Sequence, residues 1–273
     1  MTNNIFYKTY APNKFLQPYI SRIFVFECKS GISRNDFSLI APTGEMKLVI
    51  PYRNNMRSII GKTFREHKES SCFFIGLHTQ AALIECDMDY GNVCVTFKPF
   101  GIYKFFNFPL RELAGQIHNA SDVFNKLGKE LQERVAEIMD VDKKVLFVQE
   151  FLYQQMVSIQ RSDPVTEYAI NKIISREGLI SITELSEEMG YSRRYLVSKF
   201  TENLGISPKE FSCIVRFNEV YKKINLNRFS EDTLYNLYYD QSHYIKEFKK
   251  FTGFTPGEYV SQSNKLGSIF FNE

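Results

Sequence analysis

The sequence predicts an α+β fold. A β-rich N-terminal domain with flanking helices precedes an all-α C-terminal domain of two helix-turn-helix units joined by a linker helix. Three observations predict it. Before Pro99 the apolar residues fall in short runs rich in aromatic and β-branched side chains. Beyond Gly101 they recur at helical spacing. Between Ser181 and Tyr259, a short helix, a tight turn and a second helix can be read twice in tandem. A chain of 273 residues holds two domains, placed at 1–160 and 161–273.

In the N-terminal domain, Arg22 to Cys28 is the first expected strand. Phe37 to Ala41 and Met46 to Ile50 flank Pro42 to Glu45, where proline and glycine supply a turn. Cys72 to Gly76, Ala81 to Cys86 and Asn92 to Lys98 complete the set, and Asp89 to Asn92 reads as a hairpin turn joining the last two. Tyr103 to Phe106 reads as a short helix. Phe124, Leu127, Leu131, Val135 and Ile138 share one helical face, and Lys143 to Ile159 forms another helix. Its apolar residues Leu146, Phe151, Leu152 and Met156 have two uses open to them: packing on Phe124, Leu127 and Leu131, or pairing with a second copy in a homodimer. Arg161 to Pro164 is the expected linker. Phe24, Phe26, Phe73, Phe74 and Phe97 are expected to build core, with a ligand pocket as the alternative; with Trp absent, Phe and Tyr supply the large core volume.

In the C-terminal domain, Ser181 and Glu184 form an expected capping box, with Leu185 and Met189 on one face of the helix they open. Gly190 provides the left-handed turn. Ser192 caps the next helix, where Leu196 and Phe200 face inward and Arg193, Arg194, Val197 and Ser198 are left outside. Gly205 ends it. Ser207-Pro208-Lys209-Glu210 opens the linker helix, which runs to about Ile224 with Phe211, Val215, Val220 and Ile224 as buried positions. The second unit ends in Tyr238 to Gly253. In each unit the second helix can enter a major groove of DNA.

These residues resemble the AraC/XylS family of bacterial transcription regulators. Leu204-Gly-Ile-Ser-Pro-Lys-Glu-Phe211 with Arg216 is similar to the end of that family's first unit and its linker helix. Tyr238-Tyr-Asp-Gln-Ser-His-Tyr244 through Phe248-Lys-Lys-Phe-Thr-Gly-Phe-Thr-Pro256 is similar to its second. The N-terminal half looks like a domain of some members, on Tyr10-Ala-Pro12, Leu16-Gln-Pro-Tyr-Ile20, Pro42-Thr-Gly-Glu45, Val95-Thr-Phe-Lys-Pro-Phe-Gly101 and Pro109-Leu-Arg-Glu-Leu113. The resemblance implies a cytoplasmic bacterial activator that binds double-stranded DNA, with a sensory or dimerising N-terminal half. A small-molecule effector and RNA polymerase are further implied partners, and no cofactor is implied. It places DNA contacts at Ser192, Arg193, Arg194, Val197, Ser198 and Lys199, and at Asp240, Gln241, Ser242, His243, Lys246 and Lys249. Arginine suits guanine and glutamine suits adenine; Val197 suits a thymine methyl, and Lys199 and Lys249 suit phosphates. Two departures stand out. Ser198 replaces a usual arginine, and Leu234 to Leu237 runs into Tyr238 without the family's turn glycine.

Charge alone does not ask for nucleic acid. The net charge is +3, and residues 163–273 hold 14 Lys+Arg against 15 Asp+Glu. Placement matters more than the total: Arg193, Arg194 and Lys199 cluster, as do Lys246, Lys249 and Lys250, while Glu184, Glu187 and Glu188 lie on another helix. The near-neutral total and the missing glycine favour the alternative reading, a protein–protein module without productive DNA binding. Cys28, Cys72, Cys86, Cys94 and Cys213 show no CxxC spacing and read as buried thiols. His67, His78, His118 and His243 form no metal-binding pattern, no phosphate loop is present, and an enzyme is not expected. The N-terminus lacks a secretory pattern, and no run suits a membrane span.

Overall fold

The computed structural model describes residues 5–60, 63–69, 71–159, 161–226, 228–229, 237–262, 264, 266–267 and 269. The β region comprises β1 (Ile5–Tyr10), β2 (Ile20–Cys28), β3 (Leu39–Ile40), β4 (Met46–Arg53), β5 (Met56–Ile60), β6 (Thr63–His67), β7 (Phe73–Ile75), β8 (Ala82–Cys86), β9 (Tyr90–Phe97) and β10 (Ile117–Asn119). They form two antiparallel sheets, one six-stranded in the order β1-β2-β9-β4-β7-β10 and one four-stranded in the order β3-β8-β5-β6.

The six-stranded sheet is covered on both faces. Ile23, Val25, Leu48, Ile50, Val93 and Val95 pack into the larger core with the helices. Phe24, Phe26, Val49, Phe73 and Cys94 point the other way, toward Ile84 and Cys86 of the second sheet. Strand β9 is accordingly buried at every position. That explains why it reads as a continuous apolar run rather than an alternation. The expected aromatic core is present, split between the two faces: Phe74 and Phe97 on the helix side, Phe24, Phe26 and Phe73 between the sheets.

Several expectations are corrected. Asp89 to Asn92 does not close a hairpin, because β8 pairs with β3 and β5 while β9 pairs with β2 and β4. The turn, with Asp89 at φ 53°, carries the chain from one sheet to the other. Strands β1, β5, β6 and β10 were not expected. Tyr103 to Phe106 is a 3₁₀ turn over Ile102–Phe105, and a second spans Leu110–Glu112. Phe124 ends α1 (Ala120–Phe124), and α2 (Lys126–Glu137) begins after Asn125, whose φ of 55° breaks the helix. Leu127 is left exposed.

Helix α3 (Val141–Ser158) buries Val145, Val148 and Leu152. Phe151 meets Phe124 edge-on at 5.7 Å, so it serves intramolecular packing, while Leu146 stays exposed. The expected linker holds a helix start: Asp163 caps α4 (Pro164–Ser175), accepting from the Thr166 N–H at 3.0 Å. Beyond it come α5 (Ile182–Glu188), α6 (Arg193–Leu204), α7 (Pro208–Asn225), α8 (Gln241–Thr252) and α9 (Pro256–Ser261).

The two regions share one apolar cluster. Phe37 meets Phe254 at 5.1 Å and Tyr259 at 6.0 Å. The Ala81 N–H donates to the Phe251 carbonyl at 2.7 Å. Gly205, at φ 82°, ends α6 where a Cβ would lie 2.5 Å from that of Ala114. The residue is thus fixed twice, by its left-handed backbone and by close approach.

Candidate nucleic-acid interface

The first helix-turn-helix unit forms as its sequence directs. The Ser181 hydroxyl accepts from the Glu184 N–H at 3.0 Å, the hydroxyl half of the expected capping box. Leu185 is buried and Met189 half-buried. Gly190 takes φ 69° at the turn. Ser192 then caps α6 through the Tyr195 N–H at 3.2 Å. Leu196 and Phe200 are fully buried. Arg193, Arg194 and Ser198 are exposed and Val197 half-buried, so the outward face holds the four expected residues.

Lys199 is half-buried and engaged within the fold. Its ammonium lies 3.4 Å from the Asp163 carboxylate, which raises its pKa. Asp163 sits at the hub of a polar network under α6. Asn203 Nδ2 donates to Asp163 Oδ2 (2.6 Å) and to Thr166 Oγ1 (3.0 Å). Arg161 donates to Asn203 Oδ1 (3.0 Å) and to the Phe108 carbonyl (2.9 Å). Burial would push the Asp163 carboxyl up, but the Thr166 and Asn203 donors and Lys199 together hold it below its ordinary value. Glu188 is likewise engaged on its own side, bonded by Lys172 at 2.5 Å and by the Tyr168 hydroxyl at 2.7 Å.

The linker helix α7 opens with a complete capping box between Ser207 and Glu210. Phe211 and Val220 are buried as expected; Val215 and Ile224 are half-buried, and Ile214, Phe217 and Tyr221 take the deeper positions. In the second unit, Leu234 to Asn236, where the turn glycine is missing, lie outside the described residues. Beyond them Asp240 caps α8, accepting from the His243 N–H at 2.7 Å. Gln241, Ser242, His243, Lys246, Lys249 and Lys250 are exposed, while Tyr244, Phe248 and Phe251 are buried.

One feature escaped the sequence reading. Arg216 of α7 grips Glu247 of α8 with two bonds, Nη2 to Oε2 at 2.7 Å and Nε to Oε1 at 3.2 Å. The Tyr238 hydroxyl donates to the same carboxylate at 2.8 Å. Glu247 is 8% exposed. This buried pair fixes α8 against the linker helix, a bidentate geometry that arginine provides and lysine does not. An acidic residue on an otherwise basic helix was its only sequence trace.

Comparison with known families matches residues 8–119 to a domain of unknown function, DUF6597, and residues 185–262 to a helix-turn-helix domain. The second match spans both units and the helix between them. Residues 185–262 are a helix-turn-helix domain, as the resemblance to the AraC/XylS family implied. The chain is a DNA-binding transcription regulator, and its α+β plan of a two-sheet region followed by a helical region is that expected from sequence. No curated protein matches it. Among solved structures, ToxT from Vibrio cholerae is similar at 13% identity, covering 93% of this chain and 98% of that one, with a TM-score of 0.49. ToxT with a bound unsaturated fatty acid matches at 13% identity over 92% and 96%, with a TM-score of 0.45. The AraC-like activator CuxR matches at 11% over 80% and 87%, with a TM-score of 0.27. Likenesses this low carry no functional argument.

The molecule also has a cavity of about 360 Å³ between its sheets. Phe24, Phe26, Met56 and Ile84 line it from the β region, Asn218, Glu219 and Lys222 from α7, and Leu266 from the C-terminal segment. Two of the aromatics therefore serve as both core and cavity wall. Asn264 ties that segment down, donating to the Leu39 carbonyl (2.9 Å) and accepting from the Leu39 N–H (3.2 Å). No helix among the described residues is long and apolar enough to cross a membrane.

Proposed function

We propose that α6 and α8 are the DNA-reading helices, that the chain acts in the cytoplasm, and that it divides functionally at residues 160/161 into a regulatory and a DNA-binding part. The observation carrying this is the likeness between the two units. Each second helix is capped by an oxygen side chain, Ser192 or Asp240, and exposes the residues after it, Arg193 and Arg194 or Gln241 and Ser242. Base-reading chemistry stands at Arg194, Val197, Ser198, Gln241 and Ser242, and His243, Lys246 and Lys249 extend the second face. Lys199 supports α6 through Asp163 instead of meeting a phosphate.

The cavity supports a small-molecule effector. Its volume suits a compact ligand, and its wall joins strands of the β region to the linker helix. A bound molecule would thus touch both regions at once, the requirement for coupling effector to DNA. Selection of the full chain against random duplex DNA tests the DNA reading. An enriched site whose affinity falls steeply with salt is expected; failure to enrich any sequence would refute it.

A further inference from the structure

Two buried thiols meet where the sheets meet. Cys28 is the last residue of β2 in the six-stranded sheet, and Cys86 is the last of β8 in the four-stranded sheet. Both belong to the apolar cluster between the sheets, at 0% and 4% exposure. The turn after β2 locks their backbones together. The Ile32 N–H donates to the Cys86 carbonyl, and the Cys86 N–H to the Ile32 carbonyl, each at 3.0 Å. Gly31, at φ 70°, lies so close that a Cβ there would stand 2.9 Å from the Cys86 carbonyl oxygen.

The same turn wraps the Cys28 sulfur. As a thiol, Cys28 donates to the Gly31 carbonyl at 3.4 Å. As a thiolate, it accepts from the Cys86 thiol above all, and also from the Ser30 hydroxyl and the N–H groups of Gly31 and Ser30. These donors outweigh burial and hold Cys28 below the ordinary thiol range. The hydrogen bond that Cys86 gives, together with burial, holds Cys86 above that range. One sulfur is thus prepared as a nucleophile, and its neighbour is kept as a thiol in contact with it. Burial alone pushes Cys72 up, and burial is the main cause raising Cys94 and Cys213. The pair is also shallow. Lys29 and Ser30, directly after Cys28, are exposed, and Met88, two residues after Cys86, is 71% exposed. An oxidant the size of water has one layer of chain to pass.

We propose that Cys28 and Cys86 form a redox-active dithiol that hydrogen peroxide closes to a disulfide. The Cys28 thiolate attacks one peroxide oxygen and the O–O bond breaks. Cys28 becomes a sulfenic acid, and the departing hydroxide takes up the proton that the Cys28 thiol had released, leaving as water. The Cys86 sulfur then attacks the Cys28 sulfur. The S–O bond breaks, and the sulfenic hydroxyl leaves with the Cys86 proton as a second water. The peroxide is reduced by two electrons, one from each cysteine. The new bond ties β2 to β8, the strands that bring Phe24, Phe26 and Ile84 to the cavity wall, so oxidation fixes one sheet to the other. This chemistry needs neither the effector reading nor the DNA reading.

Titration of the full chain with hydrogen peroxide, followed by alkylation in denaturant and peptide mass mapping, tests it. Two of the five thiols should be lost, in one cross-linked peptide pair joining Cys28 to Cys86, and dithiothreitol should restore both. In Cys86→Ser the reaction should stop at a sulfenic acid on Cys28, trapped by dimedone. In Cys28→Ser, at the same dose, Cys86 should form neither a disulfide nor a dimedone adduct. If either variant fails to fold, the map of the unaltered chain still decides. All five thiols alkylated after a dose that oxidises free cysteine would overturn the proposal. A disulfide through Cys213 that leaves Cys28 and Cys86 alkylated would overturn it as well. Dimedone on Cys86 in Cys28→Ser, with none on Cys28 in Cys86→Ser, would overturn the assignment of the nucleophile.

Discussion

Arg194 and Lys199 stand five residues apart on one helix, yet their surroundings give them different work. Arg194 is exposed beside the helix start, whereas Lys199 is held by Asp163. Arg194→Ala should weaken specific binding by about 1–3 kcal/mol and relax the preference at one base pair, measured as affinity for the selected site and its single-base variants. Equal loss on random DNA would make Arg194 a phosphate contact. Lys249→Ala should flatten the salt slope by about one unit. Lys199→Ala should leave that slope nearly unchanged and lower the melting temperature instead; a full unit lost at Lys199 would restore it to the phosphate contacts. The outward set on α6 was legible because Leu196 and Phe200 fix the inward face four residues apart. The ion pair of Lys199 was not, because its partner lies 36 residues earlier and only the folded chain brings them together.

At the scale of elements, the seating of α8 depends on the buried Arg216–Glu247 pair. Glu247→Ala leaves a guanidinium and the Tyr238 hydroxyl without their acceptor, which should cost about 3–5 kcal/mol in denaturant unfolding of the full chain. A loss below 1 kcal/mol would show that the pair does not hold α8. The hairpin β5–β6 carries a second dependence. His67 stacks on Phe73 at 3.9 Å with Nε2 2.8 Å from Ser58 Oγ, and burial, with Arg65 nearby, depresses its pKa from 6.5 to about 4. A proton therefore prefers the unfolded chain. Stability is full above the unfolded value and is lost as pH falls from about 6.5 toward 4, on the order of 3 kcal/mol. His67→Gln should remove that part of the stability–pH curve, and an unchanged curve would contradict it.

The elements that sequence missed share physical causes. Strands β1 and β6 are half-exposed or exposed along most of their length, so no apolar run marks them. The start of α4 carries the same signal as the start of α7, a capping side chain followed by proline, but its place between two apolar patterns gives it the look of a linker. The false hairpin had real turn chemistry; which strands pair across a turn is decided by distant partners. The caps at Ser181, Ser192, Ser207 and Asp240 were legible because each needs only residues within one turn.

Over the whole molecule the helix-turn-helix units are bound to the rest of the fold at several points. Arg161 bridges the Phe108 carbonyl to Asn203 of α6, Gly205 seats α6 against Ala114, and Asn218 of α7 bonds the Pro42 carbonyl beside the cavity. An effector in the cavity and DNA at α6 would therefore act on one connected structure. The division into a β-rich and a helical region was legible from the change in hydrophobic period; the cavity between the sheets was not, since it joins residues from Arg22 to Leu266. Hydroxyl-radical footprinting of the full chain on its selected DNA site tests the two-helix reading most directly. Two protected segments about one helical turn apart, roughly 34 Å, are expected, with Arg194→Ala clearing contacts in one and Gln241→Ala in the other. A single protected segment, or both variants clearing the same one, would contradict it.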